Sequence, residues 1–254
     1  ILLILYLVCS TSPSCDGEER LTRIKGLILG SLIGDAAGGP VEFKSRSEIA
    51  KWYPDFRNWN AERFNNGVES GEIANRFQIL PYKGIRPDIA PFGPWDRNAA
   101  AGTVTDDSRH KAILLNCLRK YRDDPDTPLT ETALAEAYLE YADSFVARGR
   151  TDHYRLAEES MAEYVSVARW IQGDRDLRRA HPPQRLWAGI ATCSGQMALL
   201  PLACIYPGRP DEAYRAAYAM GFVDVGPAKD INAALVAGLA AALGETGSVD
   251  RRWE

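Results

Sequence analysis

The chain is poor in the residues that mark most specialised protein classes. It has only three histidines and five cysteines in 254 residues, and no two cysteines form a Cys-x-x-Cys pair, which leaves little material for a zinc site. No apolar run reaches the roughly 20 residues that a membrane-spanning helix needs. Basic charge is not in excess: the formal net charge is -4, and the Lys and Arg residues are scattered. That excludes the electrostatic footprint of a nucleic-acid-binding surface. Alternating Val/Ile/Thr-rich stretches are scarce, which excludes a sheet-dominated fold.

What is present reads as an ordinary globular chain, 46% hydrophobic and 25% charged. Its length suits one large domain, and neither a tandem repeat nor an interdomain linker interrupts it. Helical periodicity dominates from Thr105 onward. The expected helices run over Asp106 to Arg122, Thr130 to Arg148, Tyr154 to Trp170, Trp187 to Tyr206, Pro210 to Met220 and Lys229 to Gly244. The expectation is a single, compact, all-α, multi-helix domain. Cys117, Cys193 and Cys204 fall in apolar helical contexts and read as small buried hydrophobes.

The N-terminus is of a different kind. Ile1 to Val8 is an apolar run followed by the small polar run Cys9-Ser-Thr-Ser-Pro-Ser-Cys15. The pattern fits the apolar region of a signal peptide without its initiator Met and basic flank, hence a truncated one. Residues 1–15 are therefore expected to be a targeting segment, and residues 16–254 the folded domain. An exported, periplasmic or lipid-anchored protein follows, with Cys9 or Cys15 as the lipid attachment point. The alternative is a cytoplasmic protein whose first residues form a buried strand or helix.

Three stretches carry chemistry. In the first, Gly26, Gly30 and Gly34 recur every four residues and form one side-chain-free ridge on a helix, suited to close packing against another element. Asp35 follows where that helix gives way to Gly38-Gly39-Pro40, a turn that delivers Glu42 on a loop beside Phe43. A carboxylate at such a place suits acid/base work or substrate orientation. The second is Gly102-Thr103-Val104-Thr105-Asp106-Asp107-Ser108-Arg109-His110. Thr105 or Asp106 is a good helix N-cap, and the helix dipole favours acidic groups in the first turn. Two Asp flanked by hydroxyls bring hard oxygens together, which suits Mg2+ or Ca2+; a capped surface helix would look the same. The third is Asp224-Val-Gly226-Pro227-Ala228-Lys229-Asp230-Ile231-Asn232, where a Gly-Pro turn again sets an Asp at a helix start. Residues 44–101, rich in Trp, Tyr, Asn, Gly and Pro, are expected to be irregular. Such stretches serve either as the walls of a ligand site or as a packed insertion.

With these blocks in view, the chain resembles the ADP-ribosylglycohydrolase family. Gly30-x3-Gly34-Asp35-Ala36-x-Gly38-x-Pro40-x-Glu42-Phe43 is similar to the family's opening motif. Thr105-Asp106-Asp107-Ser108 is similar to its Thr-Asp-Asp-Thr block, and Asp230-Ile231-Asn232-Ala233-Ala234 with Gly238 partly matches its closing block. The resemblance implies an all-α fold and two Mg2+ held between helix ends. It also implies hydrolysis of the N- or O-glycosidic bond joining ADP-ribose to an acceptor. The implied metal ligands are Thr105, Asp106, Asp107 and Asp230, and the implied catalytic residues are Glu42, Asp35 and Asp107. The implied partner is a small-molecule or ADP-ribosylated substrate, with no nucleic acid and no membrane span. The closing block departs from the family. Ala228 and Ile231 stand where oxygen ligands are usual, and Lys229 lies between Ala228 and Asp230. One strong Mg2+ site is therefore expected rather than two. A catalytically silent binding protein retaining the fold is the alternative.

Overall fold

A computed structural model describes residues 15–42, 44–52, 104–123, 129–147, 161–173 and 192–244. Among them are eight α-helices and no strand: α1 (Cys15–Gly38), α2 (Arg46–Trp52), α3 (Asp106–Asp123), α4 (Glu131–Ala147), α5 (Ala162–Ile171), α6 (Ser194–Ala198), α7 (Pro210–Met220) and α8 (Pro227–Gly244). Two 3₁₀ turns, Gly39–Val41 and Leu200–Cys204, complete the list. The fold class is all-α, as the periodicity implies. Residues 1–14 and most of the irregular stretch 44–101 lie outside the described residues, and with them the aromatic walls and all of the expected targeting segment but Cys15, which begins α1. No described helix is long and apolar enough to cross a membrane.

The helices pair in sequence-local fashion. α4 lies against α5, α7 against α8, and α3 against both α4 and α6, while α1 touches α3 and α8. Each contributes a stripe at helical spacing. On α3 it is His110, Ile113, Leu114, Cys117 and Leu118; on α4 it is Leu134, Ala135, Tyr138 and Ala142. Full burial of each large aliphatic stabilises the fold by about 1.5–3 kcal/mol. The α7–α8 pair meets through small residues, Ala213 and Ala217 facing Ala233, Val236 and Ala240. The chain entering α7 runs close to the end of α8: Gly208 N–H donates to the Ala240 carbonyl at 2.7 Å. A Cβ on Gly244 would stand only 2.1 Å from Gly208 Cα, so glycine is required there.

Four sequence expectations are corrected. Trp187 to Tyr206 is not one helix in its described part. α6 closes with Leu199 N–H donating to Gly195 O at 2.9 Å, and the chain then continues in 3₁₀ fashion, with Leu202 N–H donating to Leu199 O at 3.0 Å. Pro201 has no N–H to continue the α ladder, and its ring opposes the carbonyl four residues back. Residues 46–52, expected to be irregular, form α2. The cause is a capping box: Ser45 Oγ accepts from Glu48 N–H at 3.3 Å, and Glu48 Oε2 accepts from Ser45 N–H at 2.8 Å. Cys193 is exposed, not buried, because it precedes α6 rather than lying inside an apolar helix. Finally, the glycine ridge of α1 packs against nothing described. A Cβ on Gly26, Gly30, Gly34 or Gly38 would meet no described atom within 4 Å.

Candidate active site

The end of α1, the 3₁₀ turn after it and the first turns of α3 enclose a cleft of ≈ 370 Å³. Gly34, Asp35, Gly38, Gly39, Val41 and Glu42 line one side and Thr105, Asp107 and Lys111 the other. The local sequence explains this shape. Proline at the start of the Gly39–Val41 turn ends α1 tightly, and the bond from Glu42 N–H to Gly39 O (3.2 Å) folds the chain back. Glu42 then returns towards the helix it has just left.

Asp35 joins the two sequence blocks. Its carboxylate accepts from Thr105 N–H at 3.0 and 2.8 Å, from Ser108 N–H at 3.1 Å and from Ser108 Oγ at 2.5 Å. It therefore caps α3 from another helix, satisfying donors that no intrahelical carbonyl can reach. Thr105 supplies a weaker local cap, its hydroxyl accepting from Asp107 N–H at 3.3 Å. Both oxygens of Asp35, expected among the catalytic acids, are thus engaged by the backbone and by Ser108.

The remaining acids crowd one another. Thr105 and Asp106 are buried and Asp107 is half-buried. Glu42 keeps solvent exposure as a residue, but its carboxyl is hemmed in. That crowding, then the charges of Asp106, Asp107 and Asp35, pushes it up to about 7. Burial and Asp107 raise the Asp106 carboxyl. Burial also raises Asp107, against the opposing pull of Lys111. Glu163, on the first turn of α5, is raised by burial and then by Asp106 and Asp224. Carboxylates held together in this way leave their charges uncompensated until a proton or a cation joins them.

Lys111 is a cation already present. It is only 6% exposed, and its ammonium lies 3.9 Å from Asp107 Oδ1, one helical turn away. Burial draws its pKa down while Asp107, Asp35 and Asp106 draw it up. Sequence reading missed both Lys111 and Glu163. For Lys111 a signal existed, the i, i+4 spacing from Asp107; for Glu163 there was none.

Behind the acids the same helix enters the core. His110, fully buried, shares a 2.7 Å hydrogen bond between Nδ1 and Tyr138 Oη and packs against Tyr164 with centroids 4.6 Å apart. Burial, then the charges of Lys111 and Arg109, hold it neutral, down to about 3. Tyr164 Oη donates to Ser194 O at 2.7 Å. Next to it, buried Asp224 accepts from Gly195 N–H and from Asn232 Nδ2, both at 2.6 Å, and also from Thr192 Oγ1. Cys193 lies beside this group. Partial burial, then the charges of Asp224, Asp107 and Asp106, raises its thiol.

The third sequence block is split by this arrangement. Asp224 and Asn232 turn inward. Asp230 is exposed and accepts from Tyr214 Oη at 2.6 Å, away from the cleft-lining residues. Ile231 is 58% exposed, and the Lys229 ammonium sits 4.7 Å over the Tyr218 ring. The structure thus brings together Asp35, Glu42, Thr105, Asp106 and Asp107 but not Asp230. Among the described residues no three acidic, His or Cys side chains are grouped so as to hold a metal ion by themselves.

The sequence model of the family described as ADP-ribosylglycohydrolase matches residues 16–254. No curated protein and no solved structure matches the chain.

Proposed function

The chain belongs to the ADP-ribosylglycohydrolase family, and from that premise we propose a Mg2+-dependent hydrolase of ADP-ribosyl or related N- and O-glycosidic bonds. The coarse activity, glycohydrolysis of the ADP-ribosyl type, comes with the family. The observation that carries the finer reading is the gathering of Asp35, Glu42 and Asp107 in one cleft beside the α3 N-terminus, with Asp106 close enough to raise Glu42.

The donor chemistry fits Mg2+. Thr105, Asp106 and Asp107 offer hard oxygens. Mg2+ keeps several of its waters and needs only one or two carboxylates, so an open site suits it better than a closed cage. Bound there, the ion would supply positive charge to orient ribose hydroxyls and acidify a water. We assign one ion per chain, since Ala228 and Ile231 bring no oxygen and Asp230 is bound to Tyr214.

The protein's own groups have distinct tasks in this reading. Glu42, with a pKa of about 7, is near half-protonated at neutral pH and is matched to moving a proton at the anomeric centre or leaving group. Asp107 and Asp106 would hold the ion and orient the substrate hydroxyls. Asp35 acts on the substrate only indirectly, by holding α3 at the angle that presents Asp106 and Asp107. Release of ADP-ribose from an ADP-ribosylated protein or small molecule, with and without a chelator, tests the function. A purified, folded protein that binds Mg2+ yet releases no ADP-ribose from arginine-, serine- or nucleoside-linked substrates would favour the silent binding protein instead.

A further inference from the structure

We propose that Lys111 is a resident counter-cation of the cleft, which restricts the site to a single divalent ion and sets how tightly that ion is held. The inference rests on the Mg2+ reading above and adds a residue to it. Lys111 is 6% exposed, lines the cleft with Asp107, Glu42 and Asp35, and holds its ammonium 3.9 Å from Asp107 Oδ1. A lysine with a free choice of rotamer keeps its ammonium in water, because desolvating it is costly. Here the stem is enclosed by α3 and the acids, and the charge stays with them.

The charge pattern gives the position its consequence. Asp35, Glu42, Asp106 and Asp107 together can carry four negative charges, which two divalent ions would balance unaided. Lys111 supplies one positive charge from inside. One divalent ion then leaves about one net negative charge, and a second would drive the cleft net positive next to an ammonium. Like charges at a few ångströms in a partly buried site repel strongly. Lys229, beside Asp230 in the third block, rests on Tyr218 and is not among the cleft-lining residues. Lys111 is the lysine that lines the cleft. The spacing is also self-consistent: on one helix, i and i+4 share a face, so the ammonium stays with Asp107 wherever α3 moves.

The test is calorimetric Mg2+ titration of the full chain and of Lys111→Met, Lys111→Gln, Lys111→Arg and Asp107→Asn, with melting temperature and far-UV circular dichroism as folding controls. The expected result is one Mg2+ per chain in the parent and in Lys111→Arg. Lys111→Met and Lys111→Gln should gain a second equivalent or bind the first at least tenfold tighter. Folded Lys111→Met and Lys111→Gln with parental stoichiometry and affinity overturn the inference, and so does a parent that binds two equivalents. Asp107→Asn separates the two levels. If it abolishes binding while the Lys111 variants change nothing, the Mg2+ reading stands and the Lys111 inference falls. If it binds like the parent, the Mg2+ reading itself falls.

Discussion

Asp35→Ala tests the junction on which the cleft depends. The substitution removes the acceptor for Thr105 N–H, Ser108 N–H and Ser108 Oγ, contacts of 2.5 to 3.1 Å in a part-buried place. Losing a helix cap alone costs about 0.5–2 kcal/mol. A hydrogen bond to a charged group is worth about 1.5–3 kcal/mol, and a donor left unsatisfied and part-buried costs about 1–3. An opposing gain exists, because Asp35 repels Glu42, Asp106 and Asp107. It is the smallest of the causes acting on Glu42, and screened pairs are worth under about 1 kcal/mol. The caps therefore win, with a net loss of about 2–3 kcal/mol. For a chain of this size that lowers Tm by about 4–12 °C and shifts the urea midpoint at constant slope. Asp35→Asn keeps one acceptor oxygen and should lose about half as much. Unfolding followed by circular dichroism reads both. If Asp35→Ala unfolds within about 0.5 kcal/mol of the parent, the range of an ordinary surface change, Asp35 does not hold α3 and the account of the cleft fails.

Five further outcomes are expected. Glu42→Gln should lower kcat by about 10²–10⁴-fold and remove a limb near pH 7 from the pH–rate profile; an unchanged profile would exclude Glu42 as the titrating group. The Glu42 pKa is raised from 4.5 to about 7 on folding, so its contribution to stability is fully present below pH 4.5 and is lost as pH rises through about 7. Glu42→Gln should thus flatten the stability curve between those limits. For His110 the pKa falls from 6.5 to about 3 on folding, so stability is present above pH 6.5 and lost as pH falls towards 3; His110→Gln should lose less over that range in parallel melts. Gly195→Ala would set a Cβ 2.6 Å from Asn232 Nδ2 and 2.8 Å from Asp224 Oδ2, an overpacking loss of about 1–3 kcal/mol, read by chemical denaturation. Removal of residues 1–15, read as a targeting segment, should leave Tm unchanged; a large fall would make that segment part of the core.

The fold was legible in the sequence because helical periodicity is a local signal. α3, α4, α7 and α8 begin and end within about two residues of their expected limits, the usual disagreement at helix ends. The failures were also local, but of a finer grain. Pro201 was read as part of a helix it interrupts, and the Ser45–Glu48 capping box that starts α2 was passed over amid a run of aromatics and prolines. The two halves of the cleft were each legible as motifs, and the resemblance said they belong together. How they join was not legible: a capping residue 70 positions away from the helix it caps leaves no periodic trace. The resemblance put Asp35 among the catalytic acids, and its capping bonds to α3 are a role that the sequence did not show.

The Asp106–Lys111 stretch shows why site and core are hard to separate here. Asp107 and Lys111 share the cleft face of α3, while His110, between them in sequence, is turned into the core against Tyr138 and Tyr164. The helix is thus held at its first turn by Asp35 and one turn later by a buried aromatic group. Those aromatics reach Ser194 of α6 through Tyr164, and α6 is tied through Gly195 to Asp224 and thence to Asn232 of α8. A rigid first turn presents its carboxylates at fixed separation whether or not a cation is bound, so the repulsion among them is stored in the folded state. Burial first, and that repulsion after it, raises Glu42 towards neutral pH, and the repulsion makes a resident ammonium at Lys111 useful. It also means that Gly195→Ala, whose Cβ would touch no residue of the cleft, should move the Glu42 pH limb through α6 and α3. The same substitution in a loosely held helix would only lower stability.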